Sequence, residues 1–229
     1  MRRYLHLWIT VLALLTGICF GISKRATYTD ISKDLSYFDT IFVAEVLEEH
    51  AVPACEELLK KLPGAPIIAK VTGAGAVEHL AFTSRQPVII KELYQGSGPK
   101  EGETIYLTCS TWSLSLYGEP WSMERGFVNV LNTGEDYLVF INRQEDGLGE
   151  KIPVYSLYCS NIITPVFSCE NRQNRIVDTA GVHTYVPYSQ VKDNEFFAAS
   201  TAALDALEKL KEHMMELYLP SDTYEYVIK

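Results

Sequence analysis

Residues 88–108, VIIKELYQGSGPKEGETIYLT, contain two β-like runs joined by a turn rich in glycine and proline. The second run, TIYLTC at 104–109, alternates apolar and polar side chains, as a strand with one buried face does. Gly96, Gly98, Pro99 and Gly102 mark the joint. Upstream, EHLAFTSRQ at 78–86 extends the first run, and Gln86-Pro87 predicts a bulge or bend, because proline donates no ladder hydrogen bond.

Working outward, further β-rich runs appear at 41–47 (IFVAEVL), 66–73 (PIIAKVTG) and 137–141 (YLVFI), the last after a turn at Asn132-Thr133-Gly134. A short helix is expected at 53–63. Pro53 suits its first turn, Pro63-Gly64 stops it, and Cys55, Leu58, Leu59 and Leu62 share one face. These elements predict a mainly β protein with α additions: a five-stranded OB-like Greek-key barrel over 34–145, carrying the inserted helix 53–63. A β-rich extension follows at 146–192. A long helix is expected over 193–219, capped by Asp193 or Asn194 and packed on the barrel through Phe196, Ala203, Leu207, Leu210, Met214 and Leu217.

The N-terminus sets the expected compartment. Arg2 and Arg3 precede an apolar run from Leu7 to Ile22, so residues 1–25 read as a signal peptide or an N-terminal membrane anchor. The chain is thus expected to be extracytoplasmic, secreted or held by that segment, with no other membrane contact. Its net charge of −9, with every acidic residue after position 29, repels phosphates and argues against a nucleic-acid partner. Cys55, Cys109, Cys159 and Cys169 are the disulfide candidates that export allows. Cys159 and Cys169 would close a short loop, worth roughly 2–3 kcal/mol in the chain-entropy picture. None forms a CxxC and no histidine stands at zinc-ligand spacing, so neither a metal nor a cofactor is expected.

Three segments, DTIFVAEVLE (39–48), VIIKELYQGSGPKEGETIYLT (88–108) and NTGEDYLVFI (132–141), resemble the OB-like barrel of the tissue inhibitors of metalloproteinases and of netrin-like modules. The resemblance implies the barrel. The animal inhibitors act through an N-terminal Cys-x-Cys, and this chain has Cys19-Phe20-Gly21 inside its leader, so protease inhibition stands only as a further alternative.

Two functional classes compete. In the first, the loop STWSLSLYGEPWSMERGF (110–127) presents Trp112, Tyr117, Trp121 and Met123 to a protein or cell-envelope partner, and the chain is a non-catalytic binding protein whose ligand is unknown. In the second, Cys109 at the end of IYLTC is a nucleophile. That stretch is similar to the strand-end TLxTC of sortases, cysteine transpeptidases that need a histidine and an arginine beside the thiolate. His79 or His50 and Arg125 would fill those roles. Cys109 is otherwise a strand-end core or bridged residue, and His79 and Arg125 a strand histidine and a loop charge.

Overall fold

A computed structural model describes residues 42–44, 50–79, 84–109, 122–123, 130–145, 151–158, 160, 163–176, 185–187, 193–198 and 200–219. Five strands close a barrel: β2 (Ile67–Gly73), β4 (Ser84–Gln95), β5 (Thr104–Cys109), β7 (Asp136–Gln144) and β8 (Val154–Leu157). The order around it is β2–β4–β5–β8–β7, and β7 pairs back onto β2. Only β5 and β8 run parallel; the other pairs are antiparallel. This is the arrangement of an OB-like barrel, in which the strand edges are consumed by closure.

Alternation fills the interior. Val71, Val88, Ile90, Ile105, Leu107 and Val139 are fully buried, each contributing roughly 1.5–3 kcal/mol relative to exposure. Their strand neighbours Lys70, Ile89, Tyr106 and Thr108 are half-buried on the other face. β7 is buried on both faces from Tyr137 to Ile141. β9 (Val166–Ser168) extends the same sheet by pairing alongside β7, and Phe140, Phe167 and Phe196 stack edge to face at 6.0 and 6.4 Å.

Gln86, 1% exposed, is a polar side chain among the buried residues of β4. Its amide nitrogen donates to the Leu131 carbonyl (2.5 Å), and its amide oxygen accepts from the Leu131 N–H (3.0 Å). The side chain thereby copies a backbone bridge and satisfies two buried groups.

The expected helix is present as α1 (Ala51–Lys61), followed by a 3-10 turn at Leu62–Gly64. Lys60 and Lys61 sit in its last turn, where they complement the helix dipole. The C-terminal helix α2 is shorter than expected, Thr201–Tyr218. Its cap is Ser200, whose hydroxyl accepts from the Ala203 N–H, and not Asp193 or Asn194. The reason is tertiary: Phe197–Ala198 form β12, which pairs parallel with β10 (Arg175–Ile176), so residues 196–198 are held extended. Helix α2 buries Ala203, Leu207, Leu210 and Met214 and packs against α1, while Leu217 is half exposed. It reaches the barrel through Tyr218, which lies against Phe140 (5.9 Å) and Tyr94 (6.3 Å).

Two expectations about barrel membership change. The 41–47 run contributes β1 (Phe42–Ala44), but β1 pairs with β6 (Ser122–Met123) and β11 (Tyr185–Pro187) in a separate sheet. The fifth barrel strand is instead β8, beyond residue 145, because the gap between β5 and β7 must be filled for the barrel to close. No register shift falls at Gln86-Pro87, where the sequence predicts a bulge or bend. Pairing of β4 with β5 is continuous there, and Pro87 falls between the stretch of β4 paired with β3 (Glu78–His79) and the stretch paired with β2. The register shifts lie farther along β4, around Lys91 and Tyr94.

Gly73 marks a close crossing. A Cβ there would lie 2.1 Å from the Asn132 carbonyl oxygen, while the Gly73 N–H donates to Glu135 and its carbonyl accepts from Gly134. Gly102 has a positive φ of 79° but open space around it. Gly73→Ala should therefore destabilise by about 2 kcal/mol or more, and Gly102→Ala by about 1 kcal/mol, in urea unfolding midpoints. Equal losses would place no special constraint at the crossing.

Candidate functional site

The outer faces of β4 and β5 present a cross-strand array. Register sets Arg85 opposite Thr108, Pro87 opposite Tyr106 and Ile89 opposite Thr104. The Arg85 guanidinium lies 4.1 Å from the centre of the Tyr106 ring, close enough for a cation–π contact. Glu78, brought alongside by β3, joins both: one carboxylate oxygen accepts from Arg85 Nε (2.7 Å) and the other from the Tyr106 hydroxyl (3.0 Å). The array is a preset patch of aromatic, cationic and hydroxyl groups on a curved sheet.

A second feature is a polar groove of about 630 Å³ lined by the 132–135 turn, by 170–175 and by 193–194. Its floor is an interlocked charge set. Arg172 pairs with Glu135 and lies 6.0 Å from the centre of the Tyr137 ring. Glu135 also accepts from the Tyr137 hydroxyl (3.0 Å) and from the Asn132 side-chain amide (3.1 Å). Burial acts to raise the Glu135 carboxyl, but these donors outweigh it and hold it below its usual range. At neighbouring Asp136, burial is likewise outweighed, here by Thr72 and Lys70. Behind the groove wall, Glu195 is 4% exposed; burial raises its carboxyl against the opposing pull of Lys211 at 2.5 Å and the Ser168 N–H at 2.7 Å.

The residues singled out from sequence fall unevenly. Cys109 ends β5 and His79 ends β3, and backbone pairing sets His79, Ser84 and Cys109 in one cross-strand row. Arg125 lies outside the described residues, and His50 is an exposed residue just before α1. Trp112, Tyr117 and Trp121 also lie outside them, and Met123 is described only as backbone in β6. Cys55 is a buried thiol pushed up to about 12 by burial and by Glu56. Cys169 is buried as well, and Cys159, a candidate partner, lies outside the described residues. Cys169 follows β9 directly, and its N–H donates to the Asp136 carbonyl.

Both described surfaces escaped sequence reasoning. Tyr106 carried a signal, since an aromatic between inward Ile105 and Leu107 points out. Its partners Arg85 and Glu78 needed the register. The groove's signal was the polar run ENRQNR at 170–175, which no periodicity placed. Among the described residues, no group of His, Cys, Asp or Glu is placed to hold a metal ion, and no helix is long and apolar enough to cross a membrane.

No family model matches the chain. Over 108 residues it is 28% identical to the DNA topoisomerase 1 of Fervidobacterium islandicum, an alignment covering 47% of this chain. The chain spans only 15% of that protein's length.

The carboxyls make opposing contributions with pH. Glu135 and Asp136, lowered in the fold, stabilise above their ordinary values of 4.5 and 3.8, and that contribution is lost as pH falls through their lowered folded values. Glu195, raised in the fold, contributes fully below 4.5 and loses its contribution as pH rises through the folded value. Urea midpoints measured across the acid range should show a shallower acid limb for Glu135→Gln and Asp136→Asn. Glu195→Gln should remove a decline on the other side, above 4.5. Parallel profiles for all three variants would contradict these assignments.

Proposed function

We propose that this chain is an exported, non-catalytic binding protein, secreted or anchored by its N-terminal segment. It engages a protein or cell-envelope partner through the outer face of β4–β5 and the aromatic loop that leaves β5 at Cys109. The observation that carries the reading is the Arg85–Tyr106–Glu78 array on the outside of a closed barrel. Barrels of this class commonly bind on such a strand face and its flanking loops. In this reading Trp112, Tyr117, Trp121 and Met123, which follow Cys109 in the sequence, supply the aromatic and thioether contacts to the partner. The finer kinship with the netrin-like and metalloproteinase-inhibitor barrels rests on the strand patterns at 39–48, 88–108 and 132–141. Export rests on residues 1–25.

A second reading has one observation in its favour. The His79–Ser84–Cys109 row sets the backbones of His79 and Cys109 two strand spacings, or roughly 10 Å, apart across the sheet. A transpeptidase would use Cys109 as nucleophile, with Arg125 completing the site. The similarity to a topoisomerase raises nucleic acid as a ligand, against which the net charge of −9 stands.

Purified protein should bind isolated envelope material saturably, and Trp112→Ala with Trp121→Ala should weaken this at least tenfold with circular dichroism unchanged. Undiminished binding by that variant, or binding only of a labelled single-stranded oligonucleotide with steep salt dependence, would sink the reading. Alkylation of native Cys109 far faster than of Cys55 would instead move the assignment to the transpeptidase.

A further inference from the structure

We infer that the groove formed by 132–135, 170–175 and 193–194 is a second binding site, separate from the β4–β5 face, and that it takes a neutral saccharide. Every described residue of the lining is polar or charged, so an apolar ligand would gain little there. Its volume, about 630 Å³, lies in the range of small-ligand sites.

The lining divides into a frame and a working rim. The frame is internally satisfied. Arg172 and Asn132 are tied to Glu135. Asn174 accepts from the Phe196 N–H (3.1 Å) and donates to Glu208 (2.7 Å), and Asn194 donates to the Gln173 carbonyl (2.9 Å). The wall is further held by backbone hydrogen bonds from Arg175 to Phe196 and from Glu195 to Gln173, and by Lys211, which reaches the Glu170 carbonyl (3.3 Å). A wall fixed in this way loses little conformational freedom when a ligand arrives.

The rim is different. The exposed side chains of Glu170, Asn171, Gln173 and Asp193 take no part in this frame. The two amides both donate and accept, and the two carboxylates only accept, so acceptors are in excess. Vicinal hydroxyls of a sugar can use that set, since each hydroxyl can donate to a carboxylate while accepting from an amide. Phosphorylated or carboxylated ligands do not match, because Glu170 and Asp193 repel them and, among the described residues, the lining cations are Arg172, already paired with Glu135, and Arg175. A cationic peptide would be drawn by the same two carboxylates but would leave the amides little used, and its binding would weaken with salt.

The test is a titration of the whole ¹⁵N-labelled protein, followed by NMR of the Asn and Gln side-chain amides. The probes are a panel of neutral tri- and tetrasaccharides of glucose, galactose, mannose and N-acetylglucosamine units, with trilysine and inorganic phosphate as comparators. Saturable shifts at Asn171 and Gln173 with at least one saccharide, indifferent to salt, are expected. Asn171→Ala with Gln173→Ala should weaken that binding at least tenfold and leave envelope binding by the β4–β5 face unchanged. The inference is overturned if no saccharide shifts these amides, if trilysine or phosphate shifts them instead, or if the double variant binds the saccharide as before.

Discussion

Barrel closure through the β2–β7 ladder is the constraint on which the rest of the structure depends. Six consecutive pairs, from Ile67 with Ile141 to Thr72 with Asp136, join strands more than sixty residues apart in the chain. Without that ladder β2 and β7 would both be open edges, and Val71 and Val139 would line a slot open to water. The ladder is pinned at one end where Gly73 lets the 132–135 turn pass against β2, and is braced outside by Thr72 and Lys70 on Asp136. Closure costs long-range loop entropy, which the buried interior must offset.

Closure also positions the two surfaces. While β7 is buried on both faces, the β4–β5 segment keeps Tyr106 and Arg85 partly exposed. The turn that passes Gly73 supplies Asn132 and Glu135 to the groove, so barrel and groove share one structural joint. The buried Glu195–Lys211 pair then ties the groove wall to α2. A pair like this adds little net stability over apolar packing, but breaking one partner leaves a stranded charge, which favours one docking of the helix over others.

Much of this was legible beforehand, for identifiable reasons. Alternation at Thr104–Cys109 and the Gly-Pro joint before it depend on neighbours in the chain, so strand and turn could be read directly. Helix α1 carried its own start and stop in Pro53 and Pro63-Gly64. What failed was membership and termination. The 41–47 run looks like a barrel strand, yet its partners are Ser122–Met123 and Tyr185–Pro187. Asp193 and Asn194 are good caps, but pairing of Phe197–Ala198 with Arg175–Ile176 moves the helix start to Ser200.

By itself, the sequence determined the class of fold: which segments prefer extended or helical backbone, and which faces are apolar, because those depend on side chains within a few residues of one another. Tertiary structure alone decided that Val154–Leu157 completes the barrel, that Glu78 and Arg85 meet at Tyr106, and that a polar run at 170–175 becomes the wall of a groove. Each of these joins residues distant in the chain. Which distant pair wins depends on the loop entropy, the twist and the burial of every competing pairing at once, and no local pattern records that sum.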